Sequence, residues 1–319
     1  MRVPRLTPRA YQRITLVAVI ALAFIIVTGG AVRLTGSGLG CPQWPNCSAG
    51  HLAPRGANDA HGMVEFVNRM VTGLVSVAVI VAVLGSLVRT PRRRDLVWLS
   101  LGLVVGLIVQ IVLGALVVDE LLAPPWVMAH FLVSIVLLAD ALVLHRRASA
   151  PDGSRAAPVV APALVWVGRA MVAVTALVVV AGTVVTGAGP HSGDVPGTKI
   201  RATRLDLNIS SVARVHGTLA MTLLILTVVM LWLVRRTHAP ASVQRGLTIV
   251  LLVLVAQAVI GYTQYFTGVP VLLVAFHIAG ATALWIAVVS FYLGLFEPRG
   301  RAPVGPEPRP TSDNVLTPA

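Results

Sequence analysis

Three histidines and one asparagine stand at matching places in four long apolar runs: Asn68, His130, His216 and His277. Each lies about four to seven residues inside its run, roughly 6 to 11 Å along a helix that rises 1.5 Å per residue, so the four share one membrane depth. Their spacing is that of a duplication. His277 follows His130 by 147 residues, and at the same offset Val109-Gln110-Ile111-Val112-Leu113-Gly114 is answered by Ala256-Gln257-Ala258-Val259-Ile260-Gly261. His216 falls 148 residues after Asn68. Ionisable groups inside hydrocarbon are costly and usually functional. Two imidazoles from facing helices are the usual way to hold a haem iron from both sides, which makes His216 with His277 the best haem site. The alternative, an interhelical hydrogen bond, is weakened by repetition at equivalent depth. Zinc is disfavoured, because it needs three or four N, S or O ligands and no run carries a second His one turn away.

The first half differs from the second. His130 has Asn68 opposite it instead of His, while the second run also carries His61, Glu65 and Arg69, with positions 61, 65 and 68 on one helical stripe. One reading is an open substrate site in which Glu65 is a catalytic or proton-handling carboxylate. The other is a structural i, i+4 pair of Glu65 with Arg69, with His61 exposed at the water interface. Cys41 and Cys47 are the only cysteines, in Gly40-Cys41-Pro42-Gln43-Trp44-Pro45-Asn46-Cys47. Five intervening residues can close a disulfide, and an outward, oxidising loop is where one persists. A loop staple and a redox pair beside the site remain equally open. His51, His145, His191 and His238 fall in loops or at helix ends.

The elements that must position these residues are membrane helices. Of 319 residues, 56% are apolar and 12% charged, with mean hydropathy +0.85, too apolar for an ordinary soluble domain. At about 20 apolar residues per span there is material for about eight spans and little else. Runs bounded by charge or Gly/Pro place them near 14–33, 62–88, 96–118, 125–145, 162–186, 211–234, 246–266 and 270–294. The expected fold is an all-α membrane protein of eight transmembrane helices, arranged as two four-helix bundles related by a parallel repeat. Small-residue turns after the first and fifth spans, Thr35-Gly36-Ser37-Gly38 and Thr186-Gly187-Ala188-Gly189, strengthen the duplication. The net charge of +13, from 25 Lys and Arg against 12 Asp and Glu, would suggest a polyanion partner in a soluble protein. Here the basic residues collect at the N-terminus, at 89–94, around 146–155, around 235–245 and in the tail, so nucleic acid is not expected as a partner. By the positive-inside rule both termini are cytoplasmic in the plasma membrane, and connections 34–61, 119–124, 187–210 and 267–269 face outward. No convincing cleavage site follows the first span, so a cleavable signal peptide is not expected. The expected organisation is 1–150 as a first half with substrate site and cysteine loop, 151–295 as a second half with the haem site, and 296–319 as a disordered cytoplasmic tail.

With these residues in view, the chain resembles the heme A synthase family across essentially all eight spans. The resemblance rests on Thr28-Gly29-Gly30 to Arg33, on Thr35-Gly36-Ser37-Gly38-Leu39 with the cysteine loop, and on Glu65-Phe66-Val67-Asn68-Arg69. In the second half it rests on Thr186-Gly187-Ala188-Gly189-Pro190-His191-Ser192-Gly193-Asp194, Val215-His216-Gly217 and Phe276-His277. It implies oxidation of the C8 methyl group of haem O to a formyl group, giving haem A for terminal oxidases, with a b-type haem as cofactor. Carried over by residue, it implies His216 and His277 as haem b ligands, His130 at the substrate haem, Glu65 as the essential carboxylate and a Cys41–Cys47 disulfide that serves haem transfer or electron delivery. Many members have His where this chain has Asn68, so the substrate iron is held by His130 alone or with His61. Beyond haem O and membrane lipid, the expected partners are a haem O synthase and an electron donor. Two other classes compete. A diheme b-type electron-transfer protein would use the same histidines without oxidising a substrate, and Glu65 and Asn68 argue against it. A transporter would break its spans near the midplane, whereas here the intramembrane charges cluster at the outer end.

Overall fold

In the computed structural model, which describes residues 5–48, 50–54, 59–191, 193 and 202–299, the chain folds into eight long helices. They are α1 (Pro8–Leu34), α2 (Ala60–Val88), α3 (Arg94–Asp119), α4 (Pro124–Ala148), α5 (Pro162–Ala188), α6 (Ile209–Arg236), α7 (Ala241–Phe266) and α8 (Val271–Gly294). All eight are long and apolar enough to cross a membrane. Large apolar side chains such as Phe24, Trp98, Leu252 and Phe266 stand exposed around the outside, a surface suited to lipid and not to water. The protein is a multi-pass membrane protein.

Local signals explain where the helices begin. The Thr7, Asp59 and Asn208 side chains accept from the amides of Ala10, Gly62 and Ser211 at the starts of α1, α2 and α6, supplying acceptors to first-turn N–H groups that lack intrahelical partners. Proline opens α1, α4 and α5, where its missing N–H and fixed φ cost nothing. Several helices run beyond the apolar runs that mark them in the sequence, α1 beginning at Pro8 instead of near 14. Hydropathy marks the hydrocarbon-facing stretch, while backbone hydrogen bonding continues into the polar flanks.

Each half closes into a ring of four. The packed neighbours are α1 with α2, α2 with α3, α3 with α4 and α4 with α1, and the same pairings recur among α5 to α8. The halves meet through α1, α4, α5 and α8. Trp285 of α8 is buried in that seam and donates its indole N–H to the Ile135 carbonyl of α4 at 3.0 Å. Alternate connections gather at opposite ends. At one end Leu39, Leu122 and Ala202 form a small cluster over the helix tips. There Arg33 donates to the His191 carbonyl at 3.0 Å, and the His191 ring meets the Val269 carbonyl at 2.8 Å. This is called the loop end below.

The opposite end collects most of the basic residues. Arg89, buried, pairs with Asp152 at 2.7 Å, and Arg93 pairs with Asp95 at 2.7 Å while donating to the carbonyls of Arg147 and Ala150. An element with no counterpart in the sequence reading also lies here. Strand β1 (Arg155–Pro158) pairs antiparallel with β2 (Phe296–Arg299), Arg155 opposite Arg299 and Pro158 opposite Phe296. The first four residues of the expected 296–319 tail are therefore a strand, because the β1 backbone offers them partners; residues 300–319 lie outside the described residues.

Candidate functional site

The second ring holds His216 on α6 and His277 on α8, helices that face each other across the bundle. Their imidazole centroids are 6.1 Å apart with planes at 72°. A metal–imidazole bond is about 2 Å long and the nitrogen lies roughly 1 Å from its ring centre, so two imidazoles trans to one metal stand about 6 Å apart. The observed separation fits a single iron between them. His216 Nδ1 lies 3.0 Å from the Val178 carbonyl, which suits an Nδ1–H donating to the backbone and leaves Nε2 as the ligand. Small residues bring the neighbouring backbones onto the rings. A Cβ at Gly182 would lie 3.2 Å from His216 Cε1, and one at Gly261 would lie 3.3 Å from His277 Cε1.

The clamp on His277 is repeated in the first ring. Gln257 Nε2 donates to the His277 carbonyl at 2.9 Å, and Gln110 Nε2 donates to the His130 carbonyl at 3.0 Å and also to the Ser134 hydroxyl. Gly114 brings α3 to the His130 ring as Gly261 brings α7 to His277. The glutamines mark the repeat in the sequence, but their work, fixing the histidine-bearing helices, becomes visible only once α3 lies beside α4 and α7 beside α8.

Several polar atoms around these sites are buried without a partner among the described residues: Asn68 Oδ1, His130 Nδ1, His277 Nδ1, Gln110 Oε1 and Gln257 Oε1. Leaving a buried donor or acceptor unpaired costs about 1 to 3 kcal/mol. Their concentration about two intramembrane sites points to ligands. The second ring offers two facing imidazoles, which fit an iron held between them, and the first offers the single imidazole of His130, with the Asn68 amide on another helix of the same ring.

The remaining sequence candidates form the roof of the first ring. Glu65 is buried; its Oε2 accepts the Cys41 amide at 2.7 Å and its Oε1 pairs with Arg69 Nη2 at 2.5 Å. Arg69 in turn donates to the carbonyls of Cys41 at 2.9 Å, Asn46 at 3.1 Å, Pro45 at 3.3 Å and Gln43 at 3.4 Å. The loop so held contains the Cys41–Cys47 disulfide, whose cysteines are 0% and 2% exposed. Gly40 lies flat on the backbone of His61 and Gly62, where no Cβ fits. His61 is tied by one ring nitrogen to the turn after α1. Its Nδ1 lies 3.0 Å from the Ser37 hydroxyl, itself 2.9 Å from Thr35.

The structure thus brings His216 and His277 together, and gathers Glu65, Arg69, His61, Cys41 and Cys47 into one hydrogen-bonded roof. Among the described residues no hydrogen bond links Glu65 to His130. The Arg33–His191–Val269 relay ties the tip of α1 to the second half, and the sequence signals it only by an arginine at the end of an apolar run and a histidine in a connection.

The cytochrome oxidase assembly protein family matches the chain over residues 12–289, which takes in both rings and all of the roof. The chain belongs to that family. Curated relatives are named heme A synthase. The protein of Bacillus licheniformis is 30% identical over 137 residues, 43% of this chain and 44% of that relative. Those of Listeria welshimeri and Lysinibacillus sphaericus are 31% and 32% identical over 134 and 133 residues, covering 41% and 40% of this chain and 43% and 41% of those relatives. The aligned stretch therefore spans less than half the length of the relatives it matches.

Proposed function

We propose that this chain is a heme A synthase, oxidising the C8 methyl of haem O to the formyl of haem A for a terminal oxidase, with residues 151–295 holding haem b and residues 1–150 holding the substrate. The observation that carries this reading is the asymmetry of two otherwise repeated sites. One has two imidazoles 6.1 Å apart, suited to a permanent low-spin iron; the other has His130 and an unpartnered Asn68 under a disulfide roof. Asn is a poor iron ligand, so a haem bound in the first half would have His130 as its imidazole and no second one from position 68. When bound, haem b supplies a one-electron redox centre. The chain's own groups bind, orient and shield: the Gln110 and Gln257 amides fix the histidine-bearing helices, and the Glu65–Arg69 pair holds the roof and keeps a carboxylate at its edge. The charge pattern supports an orientation with the loop end outside the plasma membrane and both termini in the cytoplasm. A haem O synthase and an electron donor are the partners this reaction calls for.

The deciding experiment is an optical spectrum of the purified protein with chromatography of its extracted haems. A b-type spectrum together with haem O or haem A supports the proposal. Haem b alone, with no conversion of supplied haem O, makes the chain an electron carrier, and absence of any haem band refutes both.

Two further results are expected. Asn68→His adds an imidazole opposite His130 and should raise the low-spin fraction of the first-site haem, read by electron paramagnetic resonance, while haem A formation stays within a few-fold of wild type. An unchanged spin state would show that position 68 does not face the iron. Replacing both Cys41 and Cys47 with Ala opens a ring closed across a sequence separation of 6, worth about 2 kcal/mol by the chain-entropy estimate. Eight packed helices should tolerate that loss with a melting temperature lower by only a few degrees, and haem A formation should fall further than the folded fraction. Full activity per folded molecule would make the disulfide a staple.

A further inference from the structure

The end opposite the loop end carries a composite groove in the second half. A cleft of about 390 Å³ runs between the Val159–Ala161 segment and the Thr237–Pro240 turn, with Arg299 on its rim. Another, of about 490 Å³, lies along the end of α6 beside Leu231, Trp232, Arg235 and Arg236. His238, turned by a backbone φ of 50°, lines both, so they adjoin. No acidic side chain lines either cleft.

The repeat supplies a comparison. In the first half the connection between α2 and α3 has acids beside it: Arg89 pairs with Asp152, and Arg93 with Asp95 and Asp152, while Arg92 and Arg94 make no ion pair among the described residues. Between α6 and α7 there is no acid in the sequence, and Arg235, Arg236 and Arg299 have no ion-pair partner among the described residues. Arg236 instead lies over the Trp232 ring at 4.9 Å, and Trp232 is 55% exposed. From that point an apolar stripe of exposed side chains, Met221, Ile225, Val228 and Trp232, climbs α6. Its eleven-residue length corresponds to about 16 Å of helix. A cationic mouth that opens onto an apolar track at a membrane surface matches one amphiphile.

We propose that this groove binds an anionic phospholipid, with the phosphate among Arg235, Arg236, His238 and Arg299 and an acyl chain along the α6 stripe. A zwitterionic lipid brings its own cation against a wall of cations. Free phosphate would meet the charges and leave the stripe unused. Basic pockets beside membrane helices, where desolvated cations meet lipid phosphate, are the known setting for such binding.

The test uses the full chain purified in detergent, with native mass spectrometry and thermal melting after addition of phosphatidylglycerol, phosphatidylcholine or inorganic phosphate. Phosphatidylglycerol is expected to be retained and to raise the melting temperature, while the other two have little effect. The triple variant Arg235→Gln, Arg236→Gln, Arg299→Gln should bind phosphatidylglycerol roughly tenfold to 100-fold more weakly. The corresponding Lys variant should retain most of the binding, which separates lost charge from lost fold, and Arg9→Gln with Arg13→Gln should bind as wild type. Equal retention of phosphatidylcholine, an equal melting shift from inorganic phosphate alone, or unchanged binding by the Gln triple variant would overturn the proposal.

Discussion

Alanine at His216 or at His277 is expected to strip the b-type haem from the purified protein, weakening its retention by at least about 100-fold. Losing even a group that orients a metal ligand costs 10- to 100-fold, and on the proposed assignment each variant would remove a ligand itself. The two rings come from α6 and α8, which face each other across the bundle, so neither replaces the other when one is lost. Each is also held in its setting: His216 by the Val178 carbonyl and close approach of Gly182, His277 by Gly261 and by the Gln257 amide on its own carbonyl. The bundle should survive, because the buried apolar cluster of the second half, centred on Leu223, Met230, Leu247 and Val288, includes neither histidine. The measurement is the pyridine haemochrome of each single variant, normalised to folded protein. If both variants keep a full complement of low-spin haem b, the ligand assignment fails. His130→Ala should leave that complement intact, since its ring belongs to the other half.

Much of this arrangement is legible in the sequence, and the reasons are physical. A membrane span has to satisfy its backbone internally and present apolar side chains to lipid, so both its existence and its approximate bounds are written in hydropathy. One offset relates His130 to His277 and Gln110 to Gln257, and in both rings the glutamine amide donates to the histidine carbonyl, so the sequence carries this layout. Other features have no such signature. The β1–β2 pairing joins four-residue strands from the ends of the second half, too short for a period to show and separated by four helices. The seam contact from Trp285 to the Ile135 carbonyl uses a backbone acceptor that any residue would offer. The roof follows the same logic. Arg69 is anchored by four main-chain carbonyls whose positions depend on how the 41–46 segment turns, not on which side chains it carries.

That roof reshapes the expectation for Glu65. The i, i+4 pair with Arg69 is present at 2.5 Å, and the other carboxylate oxygen accepts the Cys41 amide. Glu65 is therefore joined to the disulfide loop, and its charge and its geometry make separable contributions. Glu65→Gln keeps the length and one carbonyl acceptor but removes the charge that pairs with Arg69. Folded protein and haem b should both persist, with a stability cost on the order of 1 to 3 kcal/mol for the impaired buried hydrogen bonds, while haem A formation falls at least about tenfold, the low end for a positioned acid–base group, and haem O accumulates. Arg69→Lys sets the comparison, because it keeps a cation beside Glu65 while breaking the forked contact with the loop carbonyls. If the carboxylate handles protons at the first site, the Lys variant should retain much more haem A formation than Glu65→Gln. Equal losses would assign both residues to holding the roof, and a wild-type yield of haem A from Glu65→Gln would remove Glu65 from the reaction.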